Sequence, residues 1–355
     1  MAGVLGSAVE QLGRRHGQVT DLVRNFGSPA FDLGLDRLRA VDSIHFLGGG
    51  YLNRLWPAHA GLVAGALAAR TLSGARLFGT GLSIVPAFVR DRPADSTSAG
   101  SDAIELLREF DHISVRDEPS AEVLGVPLGL DDAFLGVEEE RRKGLARGGA
   151  DLVVCLQSDL QSAEQGARVI ASGRATVAAA LADGRTVQYV EAIPGVDWPA
   201  YDALRDLIDA DHFIPFMSVW RDGLPLRPDQ TWLTTRFHLH FLAAAAGASG
   251  TAIAIREGFY DVKHQSLLAL GTQWSYRNTS NLSEVAAVAP GPTGAPFASD
   301  LGARIALKRQ EAATLYPADP PAGLQNPSER GGTPGSRMMR GFREVVSRID
   351  QSSGR

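Results

Sequence analysis

The sequence predicts an α/β fold built on parallel, doubly wound sheets, and three observations carry that prediction. Short apolar runs alternate with longer helical stretches along most of the chain. Glycines recur where those runs end, as at Gly48-Gly49-Gly50 and Gly79-Thr80-Gly81. Two of the runs lead into helix starts marked by proline, at Pro57 and Pro119. At 355 residues the chain suits two domains.

The elements follow in order. Val4, Leu5, Val9 and Leu12 fall on one helical stripe within forty residues of helix and polar loop. Asp42 to Leu47 reads as the first strand and runs into the triple glycine and Tyr51-Leu52-Asn53. A helix is expected from Pro57 to Thr71, with proline in its first turn. Ala75 to Phe78 is a strand, Asp102 to Phe110 a helix and His112 to Val115 a strand. Arg116-Asp117-Glu118-Pro119-Ser120 opens the next helix. The charged run Glu138 to Arg147 reads as a linker with a solvated helix end.

A second series begins at Leu152. Strands are expected at 152–157, 186–192, 212–215, 231–235 and 250–255, with helices at 162–183 and 237–246. Pro290 to Pro296 reads as a loop and Ser299 to Leu315 as one long helix. Pro317 to Arg337, rich in Pro, Gly and Ser, is expected to be disordered, with a short helix at Met338 to Ile349. The expected domains are residues 1–143 and 148–315, followed by a tail at 316–355. No internal repeat is evident.

Composition narrows the function. A net charge of −5 without a basic run argues against a general nucleic-acid binder. The single cysteine, Cys155, excludes an intramolecular disulfide and a thiolate metal cluster, and its apolar strand suggests burial. Apolar runs at Gly61 to Ala69 and Phe241 to Ala248 are too short to span a bilayer. Met1 is not followed by a charged-then-apolar targeting segment. The expectation is a cytoplasmic protein with at most peripheral membrane contact.

Chemistry-bearing motifs are few. Thr234-Thr235-Arg236-Phe237-His238-Leu239-His240 lies where a strand gives way to a helix, at the carboxyl edge of a parallel sheet, where ligands bind. A charged fork at Arg236 beside an imidazole at His238 suits an anionic substrate that also needs a proton moved. Arg236 is equally readable as a surface charge, and His238 as a structural histidine. His238 and His240, two apart, cannot share one helix face. Gly48, Gly50 and Asn53 give G-x-G-x-x-N, which lacks the last small residue of the dinucleotide pattern and its acidic partner downstream. Gly48 and Gly79 suit a tight turn as well as a ligand. Asp131-Asp132 reads as a turn or helix cap. No H-E-x-x-H, G-x-S-x-G or P-loop pattern is present.

The motifs in order resemble the polysaccharide pyruvyl transferase family. The resemblance rests on Ile44-His-Phe-Leu-Gly-Gly-Gly50, Gly79-Thr-Gly81, Ile113-Ser-Val-Arg-Asp-Glu-Pro-Ser120, Asp132-Ala-Phe134 and Thr235-Arg-Phe-His238. Tyr260, Lys263 and Leu270-Gly271 continue it, so it covers roughly residues 40 to 272. It implies two Rossmann-like halves facing across a cleft, as in the GT-B glycosyltransferases. It implies transfer of pyruvate from phosphoenolpyruvate onto two sugar hydroxyls as a cyclic ketal, on a cell-surface polysaccharide or its lipid-linked precursor.

Under that resemblance His238 and Arg236 are the catalytic candidates. Arg116, Arg236, Lys263, Gly49 and Gly50 would hold the donor, and Asn53 and Tyr51 the acceptor. No metal and no cofactor beyond the co-substrate is implied. Lys263 also reads as a solvated helix-face lysine, and Arg116 as a partner of Asp117 or Glu118. Family members usually open with an apolar strand and an Asn-x-Gly-Asp loop. Here that element is not found before Gly48, so the first half is expected to lack its initial strand. The alternatives are a nucleotide-sugar glycosyltransferase, for which Glu257 is the placed acidic candidate, and a non-catalytic paralogue.

Overall fold

A computed structural model describes residues 41–53, 59–85, 106–159, 161–282, 287–292 and 294–317. The expected N-terminal helix, the start of the helix at Asp102 and the C-terminal tail beyond residue 317 lie outside the described residues. No helix among them is long and apolar enough to cross a membrane. The chain divides into two compact units, one reaching Asp132 and resuming at Gln310, the other Ala133–Arg309.

The first unit holds a parallel three-stranded sheet in the order β1 (Ser43–Phe46), β2 (Arg76–Leu82), β3 (His112–Val115). Helix α1 (Ala60–Ser73) connects β1 to β2 and ends on Gly74 in the left-handed conformation that glycine adopts without strain. Helix α2 (Glu118–Leu124) follows β3. Its N-cap is Asp117, whose carboxylate accepts from Ser120 N, and Pro119 sits in its first turn. Phe46, Leu67, Leu77, Leu107, Val115 and Leu124 form the core.

The strand at Ala75 was expected to end at Phe78, before a glycine loop. Instead β2 continues through Gly79-Thr80-Gly81 to Leu82. Gly81 has φ +58°, and a Cβ there would stand 2.9 Å from Asp132 N. The glycine serves a register shift inside the strand and a close backbone approach, not a loop past its end.

The second unit begins with α3 (Val137–Arg147), the segment expected to be a linker. It is an integral helix. Val137 is buried, a Cβ on Gly144 would stand 2.8 Å from Leu224 O, and Arg147 donates to Gly223 O and Ser218 O. The boundary therefore falls ahead of this helix rather than at residues 143–148.

The sheet is six-stranded and parallel. Its order is β6 (Phe213–Ile214), β5 (Val187–Val190), β4 (Leu152–Cys155), β7 (Thr231–Thr234), β8 (Ser249–Ala254), β9 (Ser275–Asn278). Helices α4 (Ala163–Ala182), α7 (Phe237–Ala245) and α8 (Tyr260–Ala269) make crossovers after β4, β7 and β8. Shorter helices are α5 (Trp198–Asp202), α6 (Phe216–Asp222) and α9 (Ala295–Ser299), and α10 (Leu301–Leu315) carries the chain back into the first unit.

From β4 the chain winds outward through β5 and β6, then returns beside β4 and winds the other way through β7, β8 and β9. That is the Rossmann strand order, with its winding reversed between β4 and β7. Ligands in such sheets bind outside the carboxyl ends of the strands at that reversal. Strand β4 is buried along its whole length, as a central parallel strand should be.

Candidate functional site

At the reversal, β7 hands over to α7 through Arg236. The residue is extended, with φ −96° and ψ 124°, and no side chain caps the helix. Arg236 N donates to Thr234 Oγ1 at 3.0 Å. Its guanidinium donates to Asp197, a fully buried carboxylate, and lies 3.8 Å from Asp159. Burial alone would push the Arg236 pKa down. The charge and hydrogen bond of Asp197 outweigh that, so the net shift is upward.

Asp197 is fixed in turn. Its other oxygen accepts from Ala192 N at 2.8 Å and Ile193 N at 2.9 Å, just past β5. Arg236, expected with Arg116 to hold the anionic groups of the donor, is half of a buried ion pair; its own side chain is 11% exposed, with Nε unpartnered. Breaking such a pair leaves an uncompensated buried charge.

His238 is exposed in the first turn of α7, while His240 is buried. The two-residue spacing puts them on different faces, as expected. His240 Nε2 lies 2.9 Å from Thr272 Oγ1, its Nδ1 lies 3.2 Å from His264 Nδ1, and its ring stacks on Trp274 at 4.3 Å. Burial, reinforced by His264, drives its pKa well below the ordinary histidine value. His240 is a neutral core residue.

Lys263 is not the solvated helix-face lysine that one reading allowed. It is buried on α8, its Nζ 3.5 Å from the centroid of the Phe259 ring and 4.7 Å from that of Tyr260. Packing on two aromatic faces keeps a cation near the carboxyl edge at lower desolvation cost.

The loop between β4 and α4 contributes groups that the sequence did not single out. Gln157 is 1% exposed. Its Nε2 donates to Asp159 Oδ1 at 2.8 Å and to Tyr260 OH at 2.9 Å. Burial, the largest influence on Tyr260, raises its pKa and keeps the phenol protonated. Helix α4 opens on a complete capping box: Ser162 accepts from Gln165 N, and the Gln165 side chain accepts from Ser162 N. A glutamine at a strand end carries no motif signal, which is why this loop was passed over.

In the first unit, Arg116 pairs with Asp131, both side chains nearly inaccessible, and not with Asp117 or Glu118 as one reading had it. Asp132, expected with Asp131 to be a turn or cap, accepts from Gly48 N and from Thr80 Oγ1, the latter at 2.8 Å. His45 joins this network, its Nε2 2.8 Å from Thr80 Oγ1 and its Nδ1 2.8 Å from Tyr316 OH. With the Thr80 proton directed to Asp132, His45 donates through Nε2 and accepts from Tyr316 through Nδ1.

The triple-glycine loop is largely occupied with its own turn. Gly49 O accepts from Ser83 N at 2.9 Å, and a Cβ on Gly49 would collide with the Tyr51 ring at 2.7 Å. Asn53, expected at the acceptor, is buried and donates to Gly50 O at 3.0 Å. Tyr51 is half-buried, and its hydroxyl donates to Leu47 O at 3.0 Å. Burial, then the Asp132 charge, raises its pKa.

The structure thus gathers Arg236, His238 and the Gln157 loop on the second sheet's edge. Arg116 lies on the first sheet's edge, and Gly49, Gly50, Tyr51 and Asn53 serve the loop after β1. Among the described residues, no group of three His, Cys, Asp or Glu side chains is placed to hold a metal ion.

No protein-family model matches the chain, and no curated protein matches it. Among solved structures, the crystal structure of Os79 from O. sativa in complex with U2F and trichothecene aligns at 8% identity and a TM-score of 0.31. The alignment covers 78% of this chain and 74% of that one. A score this low carries no argument about fold or activity.

Proposed function

We propose that this chain is a ketal-pyruvyl transferase, moving pyruvate from phosphoenolpyruvate onto two hydroxyls of a saccharide. The proposal carries with it the GT-B-like pairing of halves that the sequence resemblance implies. The single observation behind it is the placement of Arg236 and His238 at the winding reversal of the second sheet, on a helix start that no side chain caps. An uncapped helix N-terminus next to a guanidinium favours a phosphate or carboxylate. The exposed imidazole two residues further on, at His238, can reach solvent-borne substrate.

The reaction balances without redox chemistry. The methylene carbon of phosphoenolpyruvate takes a proton, and the first hydroxyl adds to the resulting cationic C2 and loses its proton. Phosphate leaves, and the second hydroxyl closes the ketal and gives up its own proton. Products are the cyclic ketal and inorganic phosphate. His238 is the group assigned to proton movement, and Arg236 to the donor's charge, with Asp197 fixing its orientation. A cytoplasmic enzyme acting on a lipid-linked envelope precursor fits this reading.

One observation favours a second reading. Glu257 is exposed just past β8, on the same edge of a Rossmann-ordered sheet, where an acidic side chain could receive a ribose. That would suit a nucleotide-sugar glycosyltransferase.

Phosphate release from phosphoenolpyruvate, measured with mixed bacterial glycolipids and beside parallel reactions with nucleotide sugars, tests the proposal. Glycolipid-dependent phosphate release supports it. Nucleotide release from a nucleotide sugar, with phosphoenolpyruvate inert, overturns it in favour of the second reading.

A further inference from the structure

Gln157, Ser158 and Gln161 each leave a side-chain oxygen without a hydrogen-bond partner: Gln157 Oε1, Ser158 Oγ and Gln161 Oε1, all buried atoms. The Gln157 amide cannot be turned over to relieve this. Its nitrogen faces Asp159 Oδ1, a carboxylate oxygen that only accepts, so the oxygen must occupy the other position. Both amide hydrogens are then taken, by Asp159 and Tyr260. The acceptor is orphaned in a residue 1% exposed, and such a group costs stability in the absence of a donor.

Local charge says which donors suit the place. Asp159 places a negative charge at the edge of this loop, 3.8 Å from the Arg236 guanidinium. The Ser162–Gln165 capping box engages two of the N–H groups at the start of α4, those of Ser162 and Gln165. A phosphate at this loop would meet the Asp159 carboxylate and the unpartnered oxygens. A neutral ligand rich in hydroxyls meets acceptors matched to its protons.

We propose that the β4–α4 loop, through Gln157, Ser158 and Gln161 with the Asp159 carboxylate at its edge, is a hydroxyl-reading site for a neutral polyol. It sits beside Arg236, so it rests on the transferase reading for its place in a reaction, as the acceptor subsite. Its chemistry does not depend on that reading. Saccharide hydroxyls and a ribose diol share this chemistry, and the test separates them.

The experiment is saturation-transfer NMR on the full chain. One arm uses the methyl pyranosides of glucose, galactose, mannose and N-acetylglucosamine, and the other uses uridine. Each is run on wild type, Gln157→Leu, Ser158→Ala and Tyr260→Phe, with phosphoenolpyruvate binding followed separately by phosphorus NMR. We expect transfer to at least one pyranoside, weakened about tenfold by Gln157→Leu and a few-fold by Ser158→Ala. Tyr260→Phe, which leaves Gln157 Oε1 in place, should retain it.

Ser158→Ala removes an unpartnered hydroxyl, so it should leave the melting temperature of the free protein unchanged or raised. A purely structural serine would lower it. Transfer to uridine alone, lost in Gln157→Leu, also supports the site and assigns it to a ribose. No transfer in either arm, or transfer indifferent to both the Gln157 and Ser158 changes, overturns the proposal. Loss of phosphoenolpyruvate binding with saccharide binding intact would instead count against the transferase reading.

Discussion

Two helices start on either side of the winding reversal in the second sheet, and they are prepared for opposite ligands. After β4, α4 opens on a side-chain capping box, and the loop before it carries orphaned acceptors. After β7, α7 opens with no side-chain cap, on a guanidinium and an exposed imidazole. The first start sets unpartnered side-chain oxygens beside a carboxylate; the second sets an uncapped helix end beside a guanidinium. Strand order alone would make the two equivalent, since both lie at the crevice where such sheets bind ligands. Capping and charge separate them.

The strongest way to break the contrast is through Asp197, which holds Arg236 in place on the β7 side. Asp197→Ala leaves a guanidinium buried without its counter-charge, so the protein should lose about 3–5 kcal/mol in denaturant unfolding. A loss below about 1 kcal/mol would mean that Arg236 finds solvent or another partner, and the described pairing would be wrong. Next in size is His238→Ala. It should lower turnover in the pyruvyl-transfer assay about 10²-fold, with little change in melting temperature, because the side chain is exposed. An unchanged rate would remove His238 from the chemistry.

His240 sharpens the contrast between the two histidines of α7. Its pKa is lowered on folding from the ordinary histidine value of 6.5, so the unfolded chain takes up the proton first as pH falls. Its contribution is complete above that value and is lost below it, at up to about 1.4 kcal/mol per pH unit. His240→Gln should therefore flatten the dependence of stability on pH below about 6.5. Equal slopes in wild type and His240→Gln would contradict the buried, neutral assignment. The smallest effect is expected from Ser162→Ala, which removes one half of the capping box and should cost about 1 kcal/mol. If it also enhanced binding of inorganic phosphate, the α4 start would be an anion site after all.

The sheet of the second unit was legible in the sequence wherever a strand is buried on both faces. Leu152–Cys155 and Ser249–Ala254 are runs of small and apolar residues between turn signals. β9, Ser275–Asn278, was missed because an edge strand that is half-buried throughout can be polar. Helix α3 was taken for a linker because its charges, Glu138 to Lys143, dominate a sequence in which Val137 and Gly144 carry the burial. At the site, Arg236 and His238 stood out because their residue types at a strand end imply chemistry.

The partners of those residues did not stand out. Asp197 lies 39 positions from Arg236, and Asp131 lies 15 from Arg116. Only the fold brings each pair together. Gln157 was invisible for a different reason: its importance lies in an acceptor left without a donor, which no spacing encodes.

The central claim is that the anionic donor belongs to the α7 start and not to the α4 start. Calorimetric titration of phosphoenolpyruvate into wild type, Arg236→Lys, Gln157→Leu and Ser162→Ala tests it most directly. The account predicts that wild type binds and that Arg236→Lys, which loses the two-pronged guanidinium, binds about tenfold or more weakly. Gln157→Leu and Ser162→Ala should bind as wild type does. Binding that is weakened by Gln157→Leu while Arg236→Lys leaves it unchanged would contradict the claim, as would no binding to wild type at all.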